Sequence, residues 1–105
     1  MDYLRLEVGE IFLRIEESKN LQLLIHRGEN VDNLWKRSTF MIGESTVGRT
    51  ALSGTPVVLD LLEYEYADLN PEVKLQGIHQ LAVLPMTGRR GVVGVLCVAT
   101  FHPQP

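Results

Sequence analysis

Residues 81–99 of the sequence read LAVLPMTGRRGVVGVLCVA. Two apolar segments, 81–86 and 92–99, are separated by five residues that include two glycines, a length and composition typical of a hairpin loop. Successive side chains of a strand point to opposite faces of a sheet, and both segments are apolar on both faces. The pattern therefore predicts two neighbouring central strands, covered on both sides, in an antiparallel sheet.

Further strands precede this hairpin. Apolar and other side chains alternate from Glu10 to Glu16, the period of two that indicates a strand. A polar turn follows, and the apolar segment 21–27, closed by Gly28, completes a second hairpin. The segment 57–61 is predicted to be another strand.

Three short helices are predicted. Val31, Leu34 and Trp35 have helical spacing within 29–39. A second helix, with Ser45 or Thr46 as its possible N-cap, is expected to end before Gly54. A third begins at Pro71 and ends before Gly77. Because none is long enough to cover a sheet face, we expect that cover from outside this sequence, either from the rest of a longer protein or from a second copy.

Composition limits the class of protein. The 105 residues fit a single domain spanning 1–105, and a net charge of −3 does not favour a nucleic-acid partner. The one cysteine, Cys97, allows no internal disulfide, which suits a reducing cytoplasm. Neither a signal peptide nor a membrane-spanning segment is recognisable, so no direct membrane contact is expected.

Short motifs follow one another in a specific order between residues 43 and 96. They are Gly43-Glu44-Ser45, Val47-Gly48-Arg49, Gly54-Thr55-Pro56-Val57, Gly77-Ile78, Leu84-Pro85 and the hairpin from Gly88 to Leu96. In this order the sequence resembles a GAF domain over nearly its whole length. It departs from that family at Ser45, where a second glycine is common, and in the long flanking helices, which are missing or truncated.

The resemblance implies an α+β fold, related to PAS domains, in which short helices and loops lie over one face of an antiparallel five- to six-stranded sheet. It also implies a sensory or regulatory role. We expect a small cytosolic molecule as ligand, a homodimer, and a linked kinase or transcription-regulator output domain, as in two-component systems. We expect no cofactor and no catalysis. The alternative is a ligand-free GAF domain that serves dimerisation or interaction.

A ligand would lie between the sheet and its loops if the resemblance holds. The residues expected to contact it are Phe40, Val47, Tyr64, Tyr66, Ile78 and His79. His79 is singled out because it precedes a central strand and is a polar group able to orient a ligand.

Other chemistries fit less well. Residues 43–50 differ by one residue from the sequence motif of a phosphate-binding loop, because Arg49 stands in place of its lysine. Too few residues separate Thr50 from Asp60 for the parallel crossover that such a site needs. His26, His79 and His102 are too scattered for a structural zinc site. Cys97 is expected to be a buried hydrophobe, and the GAF-like proteins that reduce free methionine sulfoxide need several cysteines.

Overall fold

A computed structural model describes residues 5–15, 18–28, 31–61 and 66–101. Within these ranges six strands form one antiparallel sheet in the order β3-β2-β1-β6-β5-β4. The strands are β1 (Arg5–Arg14), β2 (Asn20–Arg27), β3 (Thr39–Met41), β4 (Val57–Asp60), β5 (Gln80–Gly88) and β6 (Gly91–Phe101). The helices are α1 (Ser45–Ser53) and α2 (Glu72–Leu75). The predicted α+β fold and its sheet are confirmed.

The hairpin of β5 and β6 lies at the centre of the sheet, as its apolar pattern predicts. β6 pairs with β1 on one side and with β5 on the other, and β5 also pairs with β4. Alternate residues of these strands, such as Phe12, Val83, Val95 and Cys97, are fully buried on one face. Both helices lie on this inner face, because Val47 of α1 and Val73 of α2 belong to the same core.

The outer face of the sheet is apolar and half-exposed. Its side chains come from β1, β2, β5 and β6 and include Ile11, Leu13, Ile25, Leu84, Leu96 and Val98. Leu13 and Ile25 are 36% and 40% exposed. Strands apolar on both faces are thus confirmed, and no helix within the described ranges covers this outer side.

The helix predicted within 29–39 is wrong. Residues 29 and 30 lie outside the described ranges, and residues 31–38 contain no helix. Val31, Leu34 and Trp35 are all buried, but they lie in an irregular connection with several bends, in which Trp35 pairs with Leu69 in an isolated bridge. The spacing of these apolar residues therefore indicated that they are buried, and it did not distinguish a helix from an irregular segment.

The entrance of α1 differs from the sequence prediction. Glu44 is the N-cap residue, whereas Ser45 lies within the helix bounds and has a left-handed φ of 60°. A left-handed backbone is unfavourable for a residue with a Cβ atom, whereas glycine adopts it without steric cost. The position where GAF domains commonly have glycine is therefore one where this chain carries strain.

We predict that Ser45→Gly raises the free energy of unfolding by about 1 kcal/mol, because the left-handed conformation costs glycine nothing. Urea unfolding followed by circular dichroism measures the change. The control is Leu52→Gly, at an exposed position of α1, where glycine should lower stability by about 1 kcal/mol. Equal losses in both variants would contradict the strain at Ser45.

Candidate functional site

One face of α1 is polar and borders a cleft. Thr46, Arg49, Thr50 and Ser53 recur at three- and four-residue spacing, so they lie on one side of the helix. The opposite wall is apolar and belongs to β4 and to Tyr66; its β4 residues are Val57 and Leu59. The cavity, called here the Arg49 cleft, has a volume of about 270 Å³.

Two groups in the Arg49 cleft lack protein partners. Thr50 is 1% exposed, and its buried hydroxyl oxygen Oγ1 has no hydrogen-bond partner among the described residues. Buried hydroxyls nearly always have a partner, and an unpaired one costs about 1–3 kcal/mol. The guanidinium of Arg49 is exposed and forms no hydrogen bond or ion pair with any residue that the structure describes. The cleft thus has an exposed positive charge at its surface and a buried hydroxyl with an unsatisfied hydrogen bond in its wall.

A second cavity lies on the other side of Tyr66. It has a volume of about 690 Å³ and is lined by Lys36, Tyr66, Ala67, Leu69, Pro71, Lys74 and Leu75. We call it the Lys36 groove. Because Tyr66 borders both cavities, its position decides the shape of each.

Backbone contacts fix the segment 66–70 that carries Tyr66. Lys36 donates its N–H to the carbonyl of Asp68 at 2.7 Å, and Asn70 donates its N–H to the carbonyl of Leu34 at 2.9 Å. The Asn70 amide Nδ2 also donates to the Asn33 carbonyl at 2.7 Å. The wall of both cavities is therefore attached to the connection between β2 and β3.

The residues predicted from the resemblance have different environments. Tyr66 is half-buried and lines both cavities, whereas Phe40, Val47 and Ile78 are buried in the core. His79 is exposed, and its backbone carbonyl accepts the N–H of Leu61. Tyr64 lies outside the described residues.

Phe40 shows why the interior is closed at that point. Its ring packs edge-to-face on Phe12 at 5.5 Å and on Trp35 at 6.2 Å between centroids. The Arg37 guanidinium lies 5.0 Å above the same ring. Aromatic pairs of this geometry each stabilise a core by about 1 kcal/mol, so Phe40 serves packing in the conformation seen.

Sequence reasoning missed Arg49 and Thr50 as cleft residues. The available signal was the recurrence of polar side chains at 46, 49, 50 and 53, opposite the apolar Val47 and Ala51 of the same helix. In the comparison with a phosphate-binding loop, Arg49 stands at the position of the lysine. The structure excludes that arrangement, because the strand after α1 pairs antiparallel with β5.

Cys97 is a core residue. It is fully buried, and the indole Nε1–H of Trp35 donates to its sulfur at 3.4 Å. Burial raises the pKa of the Cys97 thiol to about 12. The thiolate needed for nucleophilic chemistry is therefore disfavoured, in agreement with the predicted role as a small hydrophobe.

The sheet order and the helices on its inner face are shared with solved structures. The A. aeolicus nlh2 GAF domain in an inactive state superimposes with a TM-score of 0.71 at 21% identity, over 95% of this chain and 60% of that one. The chain has the GAF fold. The GAF domain of an Acinetobacter phosphoenolpyruvate-protein phosphotransferase gives a TM-score of 0.65 at 23% identity, over 94% and 57% of the two chains.

The GAF fold also occurs in enzymes. A type II free methionine-R-sulfoxide reductase from Thermoplasma acidophilum matches with a TM-score of 0.67 at 15% identity, over 91% of this chain and 61% of the reductase. The chain thus spans about 60% of the length of these solved structures. No protein-family model and no curated protein matches the sequence.

The described ranges contain no cluster of three or more His, Cys, Asp or Glu side chains able to hold a metal ion. None of the helices described is long and apolar enough to cross a membrane.

Proposed function

We propose that this GAF-fold chain is a sensory or regulatory module that binds a small anionic molecule in the Arg49 cleft. The observation that carries the proposal is that one cavity is lined both by Thr50, whose buried hydroxyl has no partner among the described residues, and by Arg49, whose guanidinium has none among them either. Arginine presents a planar fork of donors that matches a carboxylate or phosphate. The hydroxyls of Thr46 and Ser53 add further donors on the same helix face.

The volume of the cleft limits the ligand. At about 270 Å³ it lies just below the usual range of small-molecule sites, which span roughly 300–1,000 Å³. The apolar wall from β4 favours a ligand with one apolar side and one charged end. A small organic acid or amino acid fits these requirements. Phe40, Val47 and Ile78 would support the site from the core, whereas His79 and Tyr64 remain candidates for direct contact.

Signal relay needs a second surface that responds to the ligand. A ligand shifts a conformational equilibrium when it binds two states with different affinity. The proposed responding elements are the Tyr66 segment, which touches the ligand cleft, and the apolar outer face. We propose that this face packs on the flanking segments and on a second copy in a homodimer. These segments would connect the domain to a kinase or transcription-regulator output domain. A cytoplasmic location is part of the same proposal.

We propose that the chain does not catalyse a reaction. Two of the matched solved structures are free methionine-R-sulfoxide reductases, so the GAF fold alone does not decide the question. The argument comes from Cys97, the one cysteine of the sequence, whose thiol is buried under Trp35. A buried thiol of raised pKa makes a poor nucleophile.

Binding at the Arg49 cleft is tested with Arg49→Gln. Isothermal titration with glutamate, succinate and inorganic phosphate should detect at least one ligand for the unmodified chain. We expect the variant to bind it about tenfold or more weakly, because a charge-assisted hydrogen bond is lost. Arg89→Gln, an exposed cation in the β5–β6 turn, is the matched control and should bind normally. Equal weakening in both variants would indicate general charge attraction and would contradict the site.

The alternative is a ligand-free GAF module that serves dimerisation. The closed aromatic packing around Phe40 and the half-exposed outer face favour it. Native mass spectrometry of the freshly purified full-length protein separates the two functions. A retained small molecule whose mass disappears in Arg49→Gln supports the sensory module. A dimer without bound small molecule, together with no binding in the titrations, supports the alternative.

A further inference from the structure

A buried carboxylate does not belong to the lining of the Arg49 cleft. Glu10, in the middle of β1, is 1% exposed. Its Oε2 atom lies 2.6 Å from Nδ1 of His26 and accepts the backbone N–H of Leu34 at 3.1 Å. The other ring nitrogen of His26, Nε2, lies 2.7 Å from the carbonyl oxygen of Val31.

A bulge in β2 creates this arrangement. Ile11 pairs with Ile25, whereas the next residue, Phe12, pairs with Leu23, so β2 has one extra residue, Leu24, at this point. Strict alternation from Leu23 would direct residue 25 inward and His26 outward. The extra residue reverses the alternation and directs His26 to Glu10.

The hydrogen bonds of the pair require one shared proton. A carbonyl oxygen accepts and never donates, so Nε2 of His26 must carry a hydrogen toward Val31. The short contact between Nδ1 and Oε2 then also needs a hydrogen, carried either by the imidazole or by the Glu10 carboxyl. Without it, two lone pairs would face each other at 2.6 Å inside the protein.

We propose that Glu10 and His26 form a proton-binding clasp, which holds the connection 31–35 against the sheet when the shared proton is bound and loosens it when the proton leaves. The clasp reaches both ends of that connection, through the carbonyl of Val31 and the N–H of Leu34. The connection in turn holds the wall segment 66–70. The clasp itself binds only a proton, so the inference stands whether or not an organic molecule binds in the Arg49 cleft.

The segment 66–70 transmits the state of the clasp to both cavities. Leu34 uses its N–H for Glu10 and its carbonyl for the N–H of Asn70. Trp35 pairs with Leu69, and its indole contacts Cys97. Loss of the proton weakens the His26 contacts with Glu10 and Val31, and the change reaches Tyr66 through these contacts of Leu34 and Trp35.

Few other charges face the pair from the described elements packed around it. From β6, the Cys97 thiol is in register with Glu10. From the connection, Asp32 is exposed to solvent. From β1 itself, the flanking inward residues Val8 and Phe12 are apolar. The proton balance is therefore governed by Glu10 and His26 themselves.

The direction of the pH effect follows from proton counting. Desolvation raises the pKa of the Glu10 carboxyl, opposed by its hydrogen bonds with Leu34 and His26. A raised folded-state pKa means that the folded chain holds the proton more tightly than the unfolded chain. The associated stability is complete below the unfolded pKa and is lost as the pH rises through the folded value. Raising the pH therefore opens the clasp.

Hydrogen exchange at the Leu34 amide and the emission of Trp35, the one tryptophan of the sequence, measure the clasp in the intact chain. When the pH is raised from about 4, below the ordinary glutamate value, to about 9, we expect Leu34 exchange, corrected for its intrinsic rate, to accelerate about tenfold or more. The connection opens more readily at high pH because one of the two His26 contacts, with Glu10 or with the Val31 carbonyl, is then left without a hydrogen. Trp35 emission should change over the same range while far-ultraviolet circular dichroism stays constant. If neither the corrected exchange rate of the Leu34 amide nor the Trp35 emission changes with pH, the proposal is overturned.

Glu10→Gln separates the clasp from general effects of pH. At the position of Oε2, a glutamine side chain has either an oxygen, which can accept the N–H of Leu34, or an NH₂ group, which can donate to Nδ1 of His26, but not both. The variant also lacks the carboxyl group that shares the proton, so the pH dependence of exchange at Leu34 should vanish. Glu44→Gln, in the exposed pair with Arg37, is the control and should keep it. If Glu10→Gln does not fold, NMR of the unmodified chain provides the test. The chemical shifts of the His26 ring nitrogens and of the Glu10 carboxyl carbon show whether the shared proton is present at neutral pH. A neutral imidazole beside an ionised Glu10 would disprove the shared proton.

Discussion

Gly94→Ala is expected to destabilise the domain by about 3 kcal/mol or more, and Gly94→Leu to prevent folding, because overpacking a rigid core forces the backbone apart. Gly94 lies in β6, between β1 and β5. A Cβ atom added there would lie 2.5 Å from the carbonyl oxygen of Phe12, which belongs to the backbone of β1. Urea unfolding monitored by circular dichroism measures the loss for Gly94→Ala.

Gly9→Ala provides the matched control for this prediction. Gly9 lies in the adjacent strand β1, and an added Cβ atom there would meet nothing closer than the Cys97 carbonyl oxygen at 3.9 Å, an ordinary contact. Its stability should stay within about 0.5 kcal/mol of the unmodified chain or rise slightly, because alanine loses less backbone entropy on folding. If both variants lose stability equally, the loss comes from glycine replacement in strands and not from the close approach of β6 to β1.

The sheet could be predicted because its signals are local and redundant. The hairpin from 81 to 99 contains two long apolar segments and a glycine-containing loop, and the glycine at 94 already indicated close packing. The period of two in β1 and the proline at the start of α2 are equally direct. Each of these features depends on residues near one another in the sequence.

The connection 31–35 could not be predicted in this way. Its conformation is set by Glu10, 24 residues before Leu34, and by Cys97, 62 residues after Trp35. No local pattern encodes such partners, and the buried residues happened to fall at helical spacing. The inward turn of His26 likewise depends on a bulge that composition does not reveal.

The candidate site was predicted in part. Tyr66 is among the ligand contacts that the resemblance to GAF domains implies, and it borders both cavities. Arg49 and Thr50 could not be predicted as cleft residues, because a polar face on a short helix is equally typical of a solvated surface. What distinguishes Thr50 is its burial without a partner, and that property exists after folding.

Trp35→Ala is expected to lower the free energy of unfolding by about 3–5 kcal/mol, the usual cost of truncating a large buried aromatic side chain. Trp35 is 2% exposed and has the largest volume among the fully buried side chains of the described residues. A domain of this size has a total stability of about 5–15 kcal/mol, so the variant should be marginally folded. Urea unfolding followed by far-ultraviolet circular dichroism measures the loss without relying on tryptophan emission.

The same variant tests whether the connection supports the cavity wall. Removing the indole leaves a void beneath residue 35, whose backbone pairs with Leu69. Hydrogen exchange at Asn70 should therefore accelerate more than exchange at Val83 in the centre of β5, because the segment 66–70 loses its support before the sheet opens. Trp35→Phe keeps most of the volume, and it should retain slow exchange at Asn70 and most of the stability. Uniform acceleration at Asn70 and Val83 in Trp35→Ala would mean that the connection and the sheet open as one unit, and that Tyr66 cannot respond to the clasp while the sheet stays folded.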